Sequence, residues 1–175
     1  MIVAVGGLPF TGKSTLARSL SEAIPGLLLD AAALQRVLFP SLVVPPREVN
    51  DWLYESVLKA TSWNLDTTPG SVIVLDGRPL TRTRDALSLR RFAATLGHAL
   101  HIVECVCPDD VARARSAAAG ALYPPPNAGT DPIPEPAVVV NTCRPLEECI
   151  SIVLDAVLGR SETTPTSSAE PMHPV

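Results

Sequence analysis

Eight residues near the amino terminus constrain the fold of this chain more than any other feature. Residues 7–14 read Gly-Leu-Pro-Phe-Thr-Gly-Lys-Ser and match the pattern G-x-x-x-x-G-K-[ST] in full. An apolar run at 2–5 leads into them and an amphipathic pattern at 13–23 follows, so the motif lies between a predicted strand and a predicted helix. In that setting the backbone N–H groups curl into a nest that binds phosphate. We therefore expect this chain to bind a nucleoside triphosphate.

The residues of this phosphate loop have different expected roles. Gly7 and Gly12 let the backbone approach the phosphates closely. Lys13 is expected to reach the β- and γ-phosphates, and the Ser14 hydroxyl is expected to ligate magnesium. Three further residues of the loop are predicted to contact the nucleotide: Phe10, Thr11 and Thr15. Mg²⁺ and a nucleoside triphosphate are thus the expected cofactors.

The rest of the chain predicts an α/β fold. Five apolar runs read as buried strands, at 2–5, 27–29, 72–75, 100–106 and 137–140. Helical patterns lie between them, at 13–23, 31–38, 48–65, 82–96, 109–119 and 146–158. This alternation predicts a five-stranded parallel sheet with helices on both faces. We expect a single domain at 1–159 and a disordered tail at 160–175, which is rich in Ser, Thr and Pro.

Composition narrows the classes of function. The net charge of −4 argues against nucleic acid and anionic membranes as partners. No apolar run reaches the roughly 18 residues of a membrane span. Because the first predicted strand begins at residue 2, there is no room for a signal peptide, and we expect a cytoplasmic protein. The proline-rich stretch 123–136 predicts a long loop, and the sequence leaves open whether it is a lid.

Charged residues follow the predicted strands at the edge where the phosphate loop lies. Asp76 is expected to hold magnesium or to position the attacking group. Asp30 is expected either to accept the acceptor's proton or to cap the helix that follows. Arg78 is predicted to face the transferred phosphate or an anionic acceptor. Arg115, in the helix at 109–119, is a candidate to clamp the triphosphate.

Further predictions concern charged and aromatic residues on two of the predicted helices. Arg113 and Arg115 are two positions apart on a predicted helix, so at most one of them should face inward. Asp109 is predicted to cap that helix. Three aromatic residues on the helix at 48–65 are predicted to be core residues, with a substrate pocket as the alternative: Trp52, Tyr54 and Trp63.

The base of the nucleotide is predicted to be adenine. The Asn-Lys-x-Asp pattern that reads guanine is absent from the sequence. In its place, residues 141–145 read Asn-Thr-Cys-Arg-Pro after the fifth apolar run. Adenine would then be read mainly by backbone groups and by stacking, and Cys143 is predicted to contact the nucleotide. ATP is the expected phosphate donor.

With these motifs the chain resembles the small P-loop kinases grouped with chloramphenicol phosphotransferase, zeta toxins, gluconate kinase and the kinase domain of polynucleotide kinase. The resemblance covers roughly residues 1–159, and five segments carry it: 7–15, 34–40, 72–84, 107–115 and 139–146. It implies ATP-dependent phosphorylation of a hydroxyl group, a small molecule as the acceptor and a mobile lid that carries an arginine. Arg115 is the better match to that arginine.

One position departs from the resemblance. Many of these kinases carry D-x-x-R after the second strand, where the aspartate serves as base, and this chain has Ala32 and Gln35 there. Asp30 and Arg36 could take over, Asp76 could be the base, the acceptor could be altered, or catalysis could be lost. A polynucleotide or nucleotide-sugar kinase and a nucleotide-binding regulatory protein with little turnover therefore remain alternatives. The sequence leaves the acceptor and the oligomeric state open.

Overall fold

The computed structural model describes residues 1–42, 44–78, 80, 82–121, 123, 133 and 137–159. Within them, strands and helices alternate, except that two helices lie between the second and third strands. The strands are β1 (Ile2–Gly7), β2 (Leu27–Asp30), β3 (Ile73–Asp76), β4 (Leu100–Val106) and β5 (Val138–Asn141). The helices are α1 (Lys13–Ala23), α2 (Ala31–Leu38), α3 (Arg47–Thr67), α4 (Thr83–Thr95), α5 (Asp109–Ala118) and α6 (Leu146–Leu158). Every predicted element is present with nearly its predicted bounds.

The five strands form one parallel sheet in the order β2-β3-β1-β4-β5. Strand β1 is central, and its Ile2 pairs with Ile73 of β3 on one side and with Leu100 of β4 on the other. Parallel strands need crossover connections, and each helix between two strands provides one. The predicted α/β class and five-stranded parallel sheet are confirmed.

Two hydrophobic cores cover the two faces of the sheet. Alternate residues of β1 point to opposite faces, so Ile2 and Ala4 pack with α3 and α4, whereas Val3 and Val5 pack with α1 and α6. Each large aliphatic side chain buried in this way stabilises the fold by roughly 1.5–3 kcal/mol. Helices on both faces of the sheet are thus confirmed.

The prediction that all five strands are buried is wrong for the two edge strands. Leu27 of β2 has 41% of its surface exposed, and Val139 of β5 has 57%. An edge strand has a neighbouring strand on one side only, so solvent reaches residues that a central strand would cover. Of the helices that the structure describes, none is long and apolar enough to cross a membrane.

The carboxyl ends of the strands meet at one edge of the sheet, where the phosphate loop leaves β1. Asp30 and Asp76 are the last residues of β2 and β3 and pair in register with each other. Of the loop at 123–136 only Tyr123 and Ile133 are described, and the predicted tail at 160–175 lies outside the described residues. The predictions of a lid, a tail and a single domain at 1–159 therefore remain predictions.

Candidate functional site

The phosphate loop has a backbone that only certain residues can adopt. Gly7 has a φ of +128°, and a Cβ added there would lie 2.3 Å from the carbonyl oxygen of Cys105. Gly12 has a φ of +86° just before α1. Phe10 has a φ of 63°, a left-handed conformation that costs a side-chain-bearing residue on the order of 1–3 kcal/mol. Such strain is typical of a loop shaped for a ligand.

Lys13 lies across the mouth of this loop. Its ammonium donates to the carbonyl oxygen of Leu8 at 2.6 Å, and the hydroxyl of Thr11 donates to the same oxygen at 2.8 Å. Burial lowers the pKa of Lys13, and the nearby Asp76 carboxylate acts in the opposite direction. The lysine is therefore held within the loop and close to Asp76, so an arriving phosphate group can replace the carbonyl of Leu8 as its partner.

Asp76 is a buried carboxylate whose charge is only partly compensated. Its exposed fraction is 5%, and burial raises its pKa, as does the charge of Asp30. A hydrogen bond from the Ser14 hydroxyl, the charge of Lys13 and the N–H of Gly77 act against that rise. A carboxylate of this kind next to a hydroxyl suits a hard divalent cation.

Ser14 and Asp76 thus fit the predicted magnesium site. Among the described residues there is no group of three or more His, Cys, Asp or Glu side chains that could hold a metal ion. Magnesium, however, is usually bound through one or two carboxylates together with substrate phosphates and water. The Ser14 hydroxyl and the Asp76 carboxylate could therefore bind magnesium only together with phosphate oxygens from a nucleotide.

Asp30 caps α2. Its Oδ1 accepts hydrogen bonds from the N–H groups of Ala32 at 2.8 Å and Ala33 at 3.0 Å, and its Oδ2 lies 3.8 Å from Nη2 of Arg36. The predicted capping role is confirmed, and the role as base remains a prediction. The amide of Gln35 donates to the carbonyl oxygen of Leu42 at 2.6 Å, so this side chain holds the end of α2.

A cavity of about 340 Å³ opens on one side of the phosphate loop. Phe10 and Thr15 line it from the loop, and Arg115, Arg144 and Leu146 line it from the opposite side. Its walls are mostly apolar, with the two arginines as its charged side chains among the described lining residues. We call it the base cavity.

Arg115, which lines the base cavity, is hydrogen-bonded to the phosphate loop. Its guanidinium donates to the carbonyl oxygen of Thr142 at 2.9 Å, to the hydroxyl of Thr142 at 3.0 Å and to the carbonyl oxygen of Phe10 at 3.4 Å. The Thr142 hydroxyl in turn donates to the carbonyl oxygen of Thr11 at 2.8 Å. Cys143 is exposed, its N–H donates to Oδ1 of Asn141, and its predicted contact with the nucleotide remains a prediction.

Of the two arginines on α5, only Arg115 faces inward, as the sequence predicted. Arg113 is exposed and pairs with Asp109 at 2.6 Å, and its guanidinium lies 5.1 Å from the ring centre of Tyr123. The prediction that Asp109 caps α5 is wrong, because Pro108 occupies the capping position. The carboxylate of Asp109 accepts hydrogen bonds from Arg113 and from the Tyr123 hydroxyl instead.

A second cavity of about 580 Å³ lies next to Gly77, among the first turns of α2, α3 and α4. Arg78, one of its lining residues, is held by several contacts. The guanidinium pairs with Asp51 and with Asp85, at 3.4 Å from the latter, and lies 4.3 Å from the ring centre of Tyr54. Burial raises the pKa of Tyr54 to about 12, so its phenol is neutral at any physiological pH. We call this the acceptor-side cavity.

Among the residues that the structure describes, none lines both the base cavity and the acceptor-side cavity. Ala32 and Gln35, which stand where the related kinases carry the Asp and Arg of D-x-x-R, line the acceptor-side cavity. Sequence reasoning missed Asp51 and Asp85, and only their ion pairs with Arg78 in the folded chain reveal them.

Two of the three aromatic residues on α3 are not core residues, contrary to the prediction. Trp52 has 50% of its surface exposed and Trp63 has 70%, because the buried face of α3 carries Leu53, Val57 and Leu65 instead. Tyr54 fits the alternative expectation, because it lines the acceptor-side cavity.

Comparison with known proteins agrees with this architecture. Residues 2–121 match a family model described as an AAA domain. No curated protein matches the chain. A provisionally assigned kinase from Chloroflexus aurantiacus superposes with a TM-score of 0.72 at 20% sequence identity, covering 91% of this chain and 97% of that one.

Two further solved structures show the same fold. APS kinase from Mycobacterium tuberculosis, in complex with AMPPNP and APS, gives a TM-score of 0.70 at 15% identity and covers 90% of this chain and 96% of that one. A gluconokinase from Sinorhizobium meliloti gives 0.59 at 20% identity, with coverage of 90% and 91%. At these identities the likeness shows the P-loop kinase fold.

Proposed function

Because this chain belongs to the AAA-domain family and has the fold of P-loop kinases, we propose that it transfers the γ-phosphate of ATP to a hydroxyl group of a small molecule. One observation carries the proposal: Lys13, Ser14 and Asp76 lie together at a phosphate loop that borders one cavity, and Gly77, directly after Asp76, borders another. A kinase needs one site for the donor's base and another for the acceptor, with the phosphates between them.

On the donor side, the adenine would enter the base cavity between Phe10 and Leu146. The planar guanidinium of Arg115 can stack on an aromatic base, and its hydrogen bonds to Thr142 and Phe10 hold it in place for that contact. Its predicted role as a clamp on the triphosphate remains a prediction. The absence of the guanine-reading pattern favours ATP over GTP.

At the phosphates, each residue of the loop has a distinct task. The loop N–H groups would bind phosphate oxygens, and Lys13 would offset the charge that develops during transfer. Ser14 and Asp76 would hold magnesium, which would neutralise part of the phosphate charge when bound. Gly77, directly after Asp76, leads from this point into the acceptor-side cavity.

In the transfer, the acceptor oxygen forms a bond to the γ-phosphorus while the bond from that phosphorus to the β–γ bridging oxygen breaks, and ADP leaves. The hydroxyl proton goes to a nearby carboxylate. Asp30 and Asp76 are the candidates from the sequence, and Asp51 is a third that lines the acceptor-side cavity. Because such a transition state depends mainly on positioning and on charge, the carboxylate missing at Ala32 need not abolish turnover.

Replacing the loop lysine tests the proposal. We expect Lys13→Ala to lower ADP release from Mg·ATP in the presence of a panel of hydroxylated metabolites by on the order of 100-fold or more, because the main positive side chain of the loop is lost. Lys59→Ala is the matched control, since Lys59 is exposed on α3 and should leave ADP release unchanged. Circular dichroism should show both variants folded. Undiminished ADP release by Lys13→Ala would contradict the proposal.

A nucleotide-binding regulatory protein with little turnover is the second candidate. It is favoured by Ala32, which offers no carboxylate, and by Gln35, whose amide is engaged with Leu42 rather than directed at a substrate. The same assay separates the two candidates, because ADP release that depends on an acceptor excludes a pure binding protein.

A further inference from the structure

The acceptor-side cavity has an unequal set of charges. Its lining includes the arginines Arg47, Arg78 and Arg82, against two aspartates, Asp51 and Asp85. A cavity of about 580 Å³ lies within the range of roughly 300–1,000 Å³ that holds small molecules. Whether it prefers an anionic, a neutral or a cationic acceptor depends on which of these charges are already paired.

Arg78 is fully engaged within the protein. Asp51 and Asp85 both pair with its guanidinium, the ring of Tyr54 covers one of its faces, and only 26% of its side chain is exposed. Asp85 also lies 3.8 Å from Arg84, and Asp51 lies 3.5 Å from Arg47. Each of these two aspartates therefore has two arginine partners, and a cationic acceptor would find no unpaired carboxylate among the described lining residues.

Arg82 is in the opposite situation. It directly precedes α4, is exposed and lines the cavity. No carboxylate of the described residues lies within ion-pair distance of its guanidinium. Arg47, which begins α3 on the cavity wall, has 74% of its side chain exposed, and its one ion pair with the described residues is the shared contact with Asp51. Both guanidinium groups can accept an anionic partner.

We propose that the acceptor carries an anionic group, a carboxylate, sulfate or phosphate, which Arg82 and Arg47 bind. This inference rests on the proposed function, because it names the class of molecule that receives the phosphate. Guanidinium groups bind such oxyanions through paired N–H donors. The hydroxyl groups of the same molecule face Asp51, whose carboxylate is 46% exposed and held in place by Arg78 and Arg47.

Titration with simple anions tests the site without knowledge of the acceptor. Sulfate, phosphate and acetate are titrated in parallel by calorimetry into protein saturated with Mg·AMPPNP, which fills the phosphate loop. We expect at least one anion to bind, and Arg82→Gln to weaken it about tenfold or more, because a charged hydrogen bond is lost. The anion that binds most tightly distinguishes a carboxylate from a sulfate or phosphate acceptor.

Arg84→Gln is the matched control, because Arg84 lies two residues away, is exposed and does not line the cavity. Its anion affinity should equal that of the wild type, and Arg82→Lys should bind with intermediate affinity. Absence of anion binding, or equal affinities in wild type and Arg82→Gln, overturns the proposal.

A failure of the proposed function is recognised separately. If AMPPNP does not bind, the kinase proposal fails, and the titrations are repeated without nucleotide in Lys13→Ala and in Lys13→Ala combined with Arg82→Gln. A difference in anion affinity between these two proteins still supports the anion site, and equal affinities reject it.

Discussion

Asp76 shows how a residue that we propose to hold magnesium can weaken the protein that carries it. Its carboxylate is buried, and burial raises its pKa despite the hydrogen bond from Ser14 and the nearby Lys13. In the unfolded chain the same carboxyl ionises near its ordinary pKa of about 3.9. Between these two pKa values the folded protein binds more protons than the unfolded chain, so stability falls as the pH rises. Ionised Asp76 therefore costs stability at neutral pH until a cation neutralises it.

Asp76→Asn should consequently raise the Tm of the ligand-free protein at pH 7 and abolish most of its magnesium-dependent ADP release. Near pH 4 and below, where the unfolded carboxyl becomes protonated, the gain in Tm should shrink. Thermal melts from pH 4 to 7 measure this effect. Asp66→Asn, at an exposed position of α3, is the control and should change neither quantity. A lower Tm for Asp76→Asn at pH 7 would show that its ionised form stabilises the fold.

At the level of residues, the sequence pointed to the residues of the proposed donor site and missed part of the proposed acceptor site. Lys13 and Ser14 follow from a motif of fixed spacing, and Asp76 follows from its place after an apolar run. No sequence motif points to Asp51. It was singled out only because it forms an ion pair with Arg78, which lies 27 positions away in the chain. Only the packing of α3 against the end of β3 brings the two together.

At the level of elements, α5 and the turn between β5 and α6 are joined through one side chain. Arg115 of α5 contacts both Thr142 of that turn and Phe10 of the phosphate loop. Loss of these contacts should loosen the base cavity while the phosphate-binding groups stay in place. The nucleotide should then bind less tightly, with a smaller effect on the transfer step.

We therefore expect Arg115→Met to raise the KM for ATP by about tenfold, since hydrogen bonds from a charged donor typically contribute about 1.5–3 kcal/mol. Arg113→Met provides the control, because Arg113 is exposed and pairs only with neighbours on the surface. Steady-state kinetics at varied ATP concentration checks both variants. If Arg115→Met instead lowers kcat with an unchanged KM, Arg115 acts on the transferred phosphate, as the resemblance implied.

The order and type of the elements could be predicted from the sequence, but their exposure could not. Alternation of apolar runs with helical patterns follows directly from covering both faces of a parallel sheet. Nothing in the runs at 27–29 and 137–140 reveals that these strands form the edges, because edge position depends on the order of strands in the sheet. In the same way, the outward position of Trp63 depends on which face of α3 meets the core.

At the level of the whole molecule, ligand binding should be visible as added stability. Mg·AMPPNP at 100 times its Kd stabilises a folded protein by about 2.7 kcal/mol if it does not bind the unfolded chain. For a chain of this size that corresponds to a rise in Tm of about 5–10 °C. Differential scanning calorimetry should find this rise in the wild type and a much smaller one in Lys13→Ala. Equal shifts in the two proteins would place the nucleotide away from the phosphate loop.

The separation of the two cavities bears on how the specificity of such a protein can evolve. Since no described residue lines both, we expect substitutions at the starts of α3 and α4 to change the proposed acceptor without disturbing nucleotide binding. Inhibitor design could use the two cavities separately. One fragment would be chosen for each cavity, and a linker passing Gly12 and Gly77 would join them. Such a compound would combine the affinity of a nucleotide mimic with the selectivity of an acceptor mimic.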